Sequence, residues 1–203
     1  MTAIRADGRP GAGWGWGVRI VETALPGVLI VEPELFRDAR GFFLETYHAR
    51  KYAALGILRP FVQDNHSFSV RGTLRGLHAQ RARPQGKLVW AADGEVFDVA
   101  VDIRRGSPAF GRWVGVTLTG ESGRQLYLPP GFAHGFCVRS QTAHVEYKCT
   151  DFYDPTDELT VRWDDPDLGI VWPVAEPLLS PRDAAAPRIS EIMDRLPRFD
   201  PGR

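Results

Sequence analysis

From Phe61 onward the chain alternates apolar and polar residues in short runs: FVQDNHSFSV, LRGLHAQ, KLVWAADGEVFDVAV, GRWVGVTLTG, RQLYLPPGF, AHGFCVRS and AHVEYKCTDFY. Each run has the length of one or two strands. Glycine, proline or Asn/Asp turns separate them at intervals of roughly 8–12 residues, the spacing of an all-β sandwich or barrel. In EVFDVAVDI, Val96, Asp98, Ala100 and Asp102 fall on one face and Phe97, Val99, Val101 and Ile103 on the other. The Asp93-Gly94 step inside KLVWAADGEVFDVAV predicts a tight hairpin. Upstream, VRIVETAL and residues 28–32 predict two strands, Asp38-Ala39-Arg40-Gly41 a turn, residues 42–47 a strand, and residues 48–55 a short helix closed by Gly56. A helical period returns only at the C-terminus. There Ser180 is placed as a cap and Pro181 at the first helical position, with Pro187 interrupting before ISEIMDRL. The whole predicts a jelly-roll β-sandwich with a few short peripheral helices. Residues 1–17, glycine-dense and without period, read as a flexible leader carrying Trp14 and Trp16, and residues 18–203 as a single domain.

A chain of 203 residues is long enough for one domain with a full core. Its 43% hydrophobic and 25% charged residues place it among globular rather than disordered chains. Lys+Arg and Asp+Glu balance at 25 each, so no global field draws it to nucleic acid or an anionic membrane. Any phosphate recognition must therefore come from a local cluster of arginine and lysine. Cys137 and Cys149 both fall in strand-like runs and make no disulfide framework, which points to a reducing cytoplasm. No apolar run approaches the ~18 residues of a membrane span. The N-terminal stretch lacks the apolar block of a secretion signal.

Candidate chemistry concentrates between Leu74 and Val101, where Arg75, His78 and Lys87 lie on or beside two strands joined by a short Pro/Gly loop. Rigid strands hold reacting groups more accurately than a mobile tail does. Imidazole titrates near neutral pH and suits both removal and return of a proton. A lone strand histidine is more often structural, so His78 gains its interest from the cations flanking it.

Eight motifs sharpen this reading: RGFFLE (40–45), FVQDNHS (61–67), LRGLHAQ (74–80), QGKLV (85–89), GEVFDVAVDIR (94–104), LYLPPGFAHGF (126–136), EYKCTDFY (146–153) and WDDPDLGIVWP (163–173). In this order they resemble the dTDP-4-dehydrorhamnose 3,5-epimerase family over roughly residues 25–187. The resemblance implies a cupin-type jelly roll, a dTDP-4-keto-6-deoxysugar substrate, no metal or organic cofactor, and a homodimer with exchanged strands. The implied reaction inverts C3 and C5 beside a C4 ketone. It requires a base, a donor for the developing enolate oxygen and an acid on the opposite face.

Carried over by motif, His78 is the implied base, Asp183 the carboxylate that orients it, and Tyr147 the acid. Asp183 also fits a plain helix-capping partner of Ser180. Lys87 and Arg75 supply positive charge near the enolate and sugar, and His134 is a substrate contact that can donate to the carbonyl. Tyr153 is the ring that stacks on thymine. Arg40, Glu45, Gln63, Asp64, Asn65, Glu158 and Arg182 complete the implied substrate-binding set, with Arg40 and Arg182 as candidate diphosphate ligands. Some of these are expected to reach the site of a neighbouring subunit.

Two departures from the family pattern stand out. Ala79 replaces the usual aromatic after the histidine, and the loop before Lys87 is a residue shorter, which could displace the lysine. They leave open a relative that epimerises a single carbon or isomerises the ketone in natural-product deoxysugar synthesis. A metal-dependent cupin is a second alternative, with His144-Val145-Glu146 the nearest approach to its ligands. A non-catalytic sugar-binding sandwich is the third, and it would have no use for a His78/Tyr147 pair.

Overall fold

The computed structural model describes residues 17–200. Two antiparallel sheets face each other. The six-stranded sheet runs β1 (Val18–Glu22), β2 (Leu29–Pro33), β10 (Gln125–Leu128), β7 (Lys87–Asp93), β12 (Thr142–Cys149) and β5 (Gln63–Val70). The five-stranded sheet runs β13 (Glu158–Thr160), β6 (Leu74–Gln80), β11 (Phe132–Val138), β8 (Glu95–Asp102) and β9 (Trp113–Thr119). A two-stranded ribbon, β3 (Leu35–Asp38) with β4 (Gly41–Leu44), turns at residues 39–40 as predicted. Helix α1 (Ala49–Ala54), helix α2 (Pro181–Ala184) and a 3-10 helix (Ile189–Arg195) are peripheral. This is the jelly-roll sandwich with short helices that the alternation predicts.

Apolar side chains form three layers. Val89, Ala91, Leu126, Leu128, Ala143 and Val145 of the six-stranded sheet meet Val96, Ala100, Leu118, Phe132, Phe136 and Val138 of the five-stranded one. The outer face of the five-stranded sheet, with Leu77, Val99 and Val101, is covered by Val161, Leu168, Ile189, Ile192 and Leu196. The outer face of the six-stranded sheet, with Leu88, Trp90 and Tyr127, is covered by Tyr52 of α1 and by Ile57. Strand β8 therefore buries both faces in the two sets read from its alternation, Val96 and Ala100 inward and Val99, Val101 and Ile103 outward.

The predicted hairpin at Asp93-Gly94 does not form. β7 pairs with β10 and β12, whereas β8 pairs with β11 and β9. Gly94 is a corner at which the chain leaves one sheet for the other. Its φ is +78°, and an added Cβ would lie 2.2 Å from the Thr142 carbonyl oxygen, so only glycine fits. A local turn signal specifies that the chain reverses, not which strands then pair. Here both strands bury an apolar face, and stacking Val89 and Ala91 over Val96 and Ala100 across the sandwich satisfies both. β6 and β7 sit in opposite sheets for the same reason, which places His78 and Lys87 on facing walls.

The predicted leader, with Trp14 and Trp16, lies outside the described residues except for Gly17. That residue donates its N–H to Glu34 Oε2 and accepts from the Glu34 N–H at 2.8 Å. The three-residue β13 is too short to have left a sequence signal. Among the described residues no helix is long and apolar enough to cross a membrane.

Candidate active site

The site begins with a close approach between two glycines. β6 and β11 run so close that a Cβ on Gly76 would lie 2.5 Å from Gly135 Cα and 2.9 Å from the His134 carbonyl oxygen. Gly76 also has φ +134°, a region closed to side chains. This contact brings His78 and His134 into direct register as cross-strand partners. Gly76→Ala is expected to cost about 3 kcal/mol or more of stability, because the clash is with backbone that cannot rotate away. Thermal unfolding checks it, and an unchanged midpoint would contradict the packing described.

His78 Nε2 lies 2.6 Å from Asp183 Oδ1, and Asp183 is buried while the imidazole is 30% exposed toward the cavity. Ser180 Oγ accepts the Asp183 N–H at 3.1 Å, so the helix cap and the histidine–carboxylate pair coexist. Burial pushes the Asp183 carboxyl up, but the bond and charge of His78, with the Ser180 and Gly76 hydrogen bonds, hold it below its ordinary value. The carboxylate thus stays ionised, fixes the ring and leaves Nδ1 as the nitrogen free to take a proton.

His134 repeats the arrangement: its Nε2 lies 2.9 Å from Asp98 Oδ2, both side chains buried. Burial lowers the His134 pKa more than Asp98 raises it, which favours a neutral ring whose single N–H, on Nε2, is given to Asp98 and whose Nδ1 can only accept. The other oxygen of this carboxylate, Asp98 Oδ1, is buried with no hydrogen-bond partner among the described residues.

The facing wall carries Lys87 and Tyr147. The Lys87 ammonium lies 5.8 Å from the centre of the Tyr147 ring, and that ring is 6.4 Å from the His134 ring. Burial lowers the Lys87 pKa against the pull of Cys149, Asp98 and Glu158, and its ammonium has no hydrogen-bond partner among the described residues. Burial raises the Tyr147 phenol above its ordinary value, so at neutral pH it holds its proton. His78, Lys87, His134, Tyr147, Arg75, Arg182 and Asp183 line one cavity of about 460 Å³. His78, Lys87 and Tyr147 also border a second, of about 250 Å³, with Gln63, Asn65, Tyr153 and Glu158. The two cavities therefore meet at the same three side chains. Lys87 lines both cavities.

A sequence profile of the family dTDP-4-dehydrorhamnose 3,5-epimerase matches residues 22–191. The relative of that name from Salmonella typhimurium is 52% identical over 177 residues, covering 86% of this chain and 97% of its own. That of Neisseria gonorrhoeae is 53% identical over 181 residues, 89% of this chain, which spans 55% of the relative's length. Among solved structures, the dTDP-6-deoxy-D-glucose-3,5-epimerase of Legionella pneumophila in complex with dTDP-4-keto-L-rhamnose superposes with a TM-score of 0.88 at 52% identity, covering 90% of this chain and 99% of that one. The chain belongs to the dTDP-4-dehydrorhamnose 3,5-epimerase family.

Within this epimerase the remaining expected residues divide into two groups. Arg75, whose Nε donates to Ser69 Oγ at 3.0 Å, reaches the larger cavity. Tyr153, Glu158 and Arg182 form a chain, with the Tyr153 hydroxyl and the Arg182 guanidinium both on Glu158 Oε2. Gln63 Nε2 donates to Asn65 Oδ1 at 2.9 Å, and Gln63 Oε1 accepts the Tyr153 N–H at 2.8 Å.

Arg40, Glu45 and Asp64 do not line the cavity of their own chain. Arg40 sits at the ribbon tip paired with Asp38, and its side chain is 90% exposed. Glu45 pairs with Lys51. Asp64 points out of β5 to Lys148, because strand alternation sends its neighbours Gln63 and Asn65 inward instead. The same alternation removes His144 and Glu146 as cavity ligands: His144 Nδ1 meets His66 Nε2 at 2.8 Å on the outer face. Among the described residues no group of three or more His, Cys, Asp or Glu is placed to hold a metal. Sequence reasoning missed Asp98 as the partner of His134. The signal was an aspartate on the inward face of an otherwise apolar strand, where a buried charge needs a partner.

Proposed function

We propose that this epimerase inverts C3 and C5 of dTDP-4-keto-6-deoxy-D-glucose to give dTDP-4-keto-L-rhamnose. The observation that carries the reading is one cavity with His78, braced by Asp183, on one wall and Tyr147 with Lys87 on the other.

The C4 ketone acidifies the hydrogens on C3 and C5. His78 Nδ1 takes the C3 proton, and the resulting positive ring is balanced by the Asp183 carboxylate. The electron pair moves onto the C4 oxygen as an enolate. Lys87, with no other hydrogen-bond partner among the described residues, lines the cavity where that charge develops and can donate to the C4 oxygen. Tyr147 returns a proton to the carbon from the opposite face, and the enolate collapses to the ketone with the centre inverted. His78 releases its proton to solvent and the phenol regains one before the same sequence runs at C5. Tyr153 is assigned to the thymine base, Arg182 to the diphosphate and Arg75 to the sugar.

A homodimer is part of the proposal. The ribbon β3–β4 exposes Phe36, Phe42 and Phe43 and carries Arg40 away from the chain's own cavity, so these side chains suit the cavity of a second copy. Unpaired, buried Cys137 and Cys149 fit a reducing cytoplasm.

The test is proton NMR of the substrate in heavy water with the wild-type protein and a chelator. Deuterium entering both C3 and C5 is the expected result. Exchange at one carbon only would reassign the protein to single-position epimerisation, and exchange at neither would overturn the activity.

A further inference from the structure

The active-site mechanism makes no use of Gln80, yet this side chain is buried to 3% exposure on the same strand as His78. Its amide makes three hydrogen bonds, all to backbone. Nε2 donates to the Arg83 carbonyl at 2.9 Å and to the Phe152 carbonyl at 3.2 Å, and Oε1 accepts the Asp154 N–H at 2.7 Å. The last two groups flank Tyr153 on either side. Gln63 holds the Tyr153 N–H itself, and Glu158 holds its hydroxyl. The Tyr153 ring, 48% exposed, is thus presented to solvent from a backbone clamped at three successive residues.

The clamp also closes the other way. The segment after β6 and the segment after β12 are tied by Gln85 Nε2 to the Asp151 carbonyl at 2.8 Å and by the Gly86 N–H to Thr150 Oγ1 at 2.7 Å. Asp157 Oδ atoms accept the Ala82 and Arg83 N–H groups. The amide of Gln80 is the most buried side chain of this seam, and its removal costs three backbone groups their partners at once, which loosens the segment.

We propose that Gln80 is a positioning residue of the nucleotide subsite: its buried amide fixes the 152–154 backbone and thereby the stacking ring of Tyr153. The proposal rests on the reading of Tyr153 as the base-binding ring. An aromatic platform held in place before the ligand arrives binds without the ordering cost of a mobile one. Gln80 therefore acts on affinity for the nucleotide rather than on proton transfer, which belongs to His78 and Tyr147.

The experiment is calorimetric binding of dTDP to the full-length protein as Gln80→Leu, Tyr153→Ala and the double variant, with kcat and KM for the sugar nucleotide. Gln80→Leu is expected to weaken dTDP roughly tenfold and raise KM alike, with kcat within about threefold of wild type. In the Tyr153→Ala background, Gln80→Leu is expected to add little, because the two changes disable one device. Full additivity, an unchanged dTDP affinity in Gln80→Leu, or a fall in kcat without a change in KM would each overturn the positioning role. If Tyr153→Ala alone leaves dTDP affinity intact, the base-binding reading of that ring fails instead, and with it the route by which Gln80 acts. Should Gln80→Leu not fold, Gln80→Glu carries the same comparison. It keeps the acceptor for the Asp154 N–H and loses both donors, so it is expected to weaken dTDP severalfold, and unchanged affinity would overturn the proposal.

Discussion

His78→Ala is expected to lower deuterium exchange into both C3 and C5 by about 10²- to 10⁴-fold, the usual contribution of a positioned general base. Binding of dTDP should stay within a few-fold of wild type, because the residues assigned to the base and diphosphate are left in place. The change also strips Asp183 of its partner at 2.6 Å, leaving a buried carboxylate whose ionised form His78 had supported. A loss of stability is therefore expected alongside the loss of exchange. His78→Asn retains a donor near Asp183 and separates the two effects: it should restore much of the stability and none of the exchange. Exchange within tenfold of wild type in either variant would remove His78 as the base.

The second large effect is expected from Tyr147→Phe. The substitution removes one hydroxyl and keeps the ring that packs near Lys87 and His134, so folding should be unaffected. Proton abstraction by His78 survives, whereas delivery to the opposite face does not. Net inversion should fall by ~10²-fold or more. Solvent exchange with retention should persist, and it is expected to persist unequally at C3 and C5. The readout is the ratio of exchange to inversion at each carbon by NMR. Equal and unchanged rates at both carbons would show that the phenol is not the acid.

Much of this architecture was legible because alternation in β8 and β12 reports burial directly. The two apolar sets of β8 end up in different layers, and Tyr147 and Cys149 point inward as their spacing requires. The Ser180-Pro181 helix start was equally plain, since the cap needs only local chemistry. Strand pairing was not legible. The Asp93-Gly94 turn reads as a hairpin from four residues, and only the stacking of two sheets decides otherwise.

The functional set divides along the same line. His78, Lys87 and Tyr147 converge from strand motifs, and Asp183 joins them from the helix that Ser180 caps. Asp64 shared a motif with Gln63 and Asn65 yet faces outward, since motif membership carries no side-chain direction. Asp98 and Gln80 escaped notice because their partners, His134 and the 152–154 backbone, are distant in sequence and become visible only as hydrogen bonds. Arg40 and Glu45 belong to segments that this single chain does not bring to its own cavity.

The most direct measurement is a crystal structure of the protein with the bound dTDP-linked 4-keto sugar or its reduced, unreactive 4-hydroxy analogue. The account predicts the hexose ring between His78 and Tyr147, its C3 hydrogen toward Nδ1 of the histidine. The phenol should lie on the other face, with the C4 oxygen within hydrogen-bond reach of Lys87. A sugar lying outside this cavity, or with His78 and Tyr147 on the same face of its ring, would contradict it.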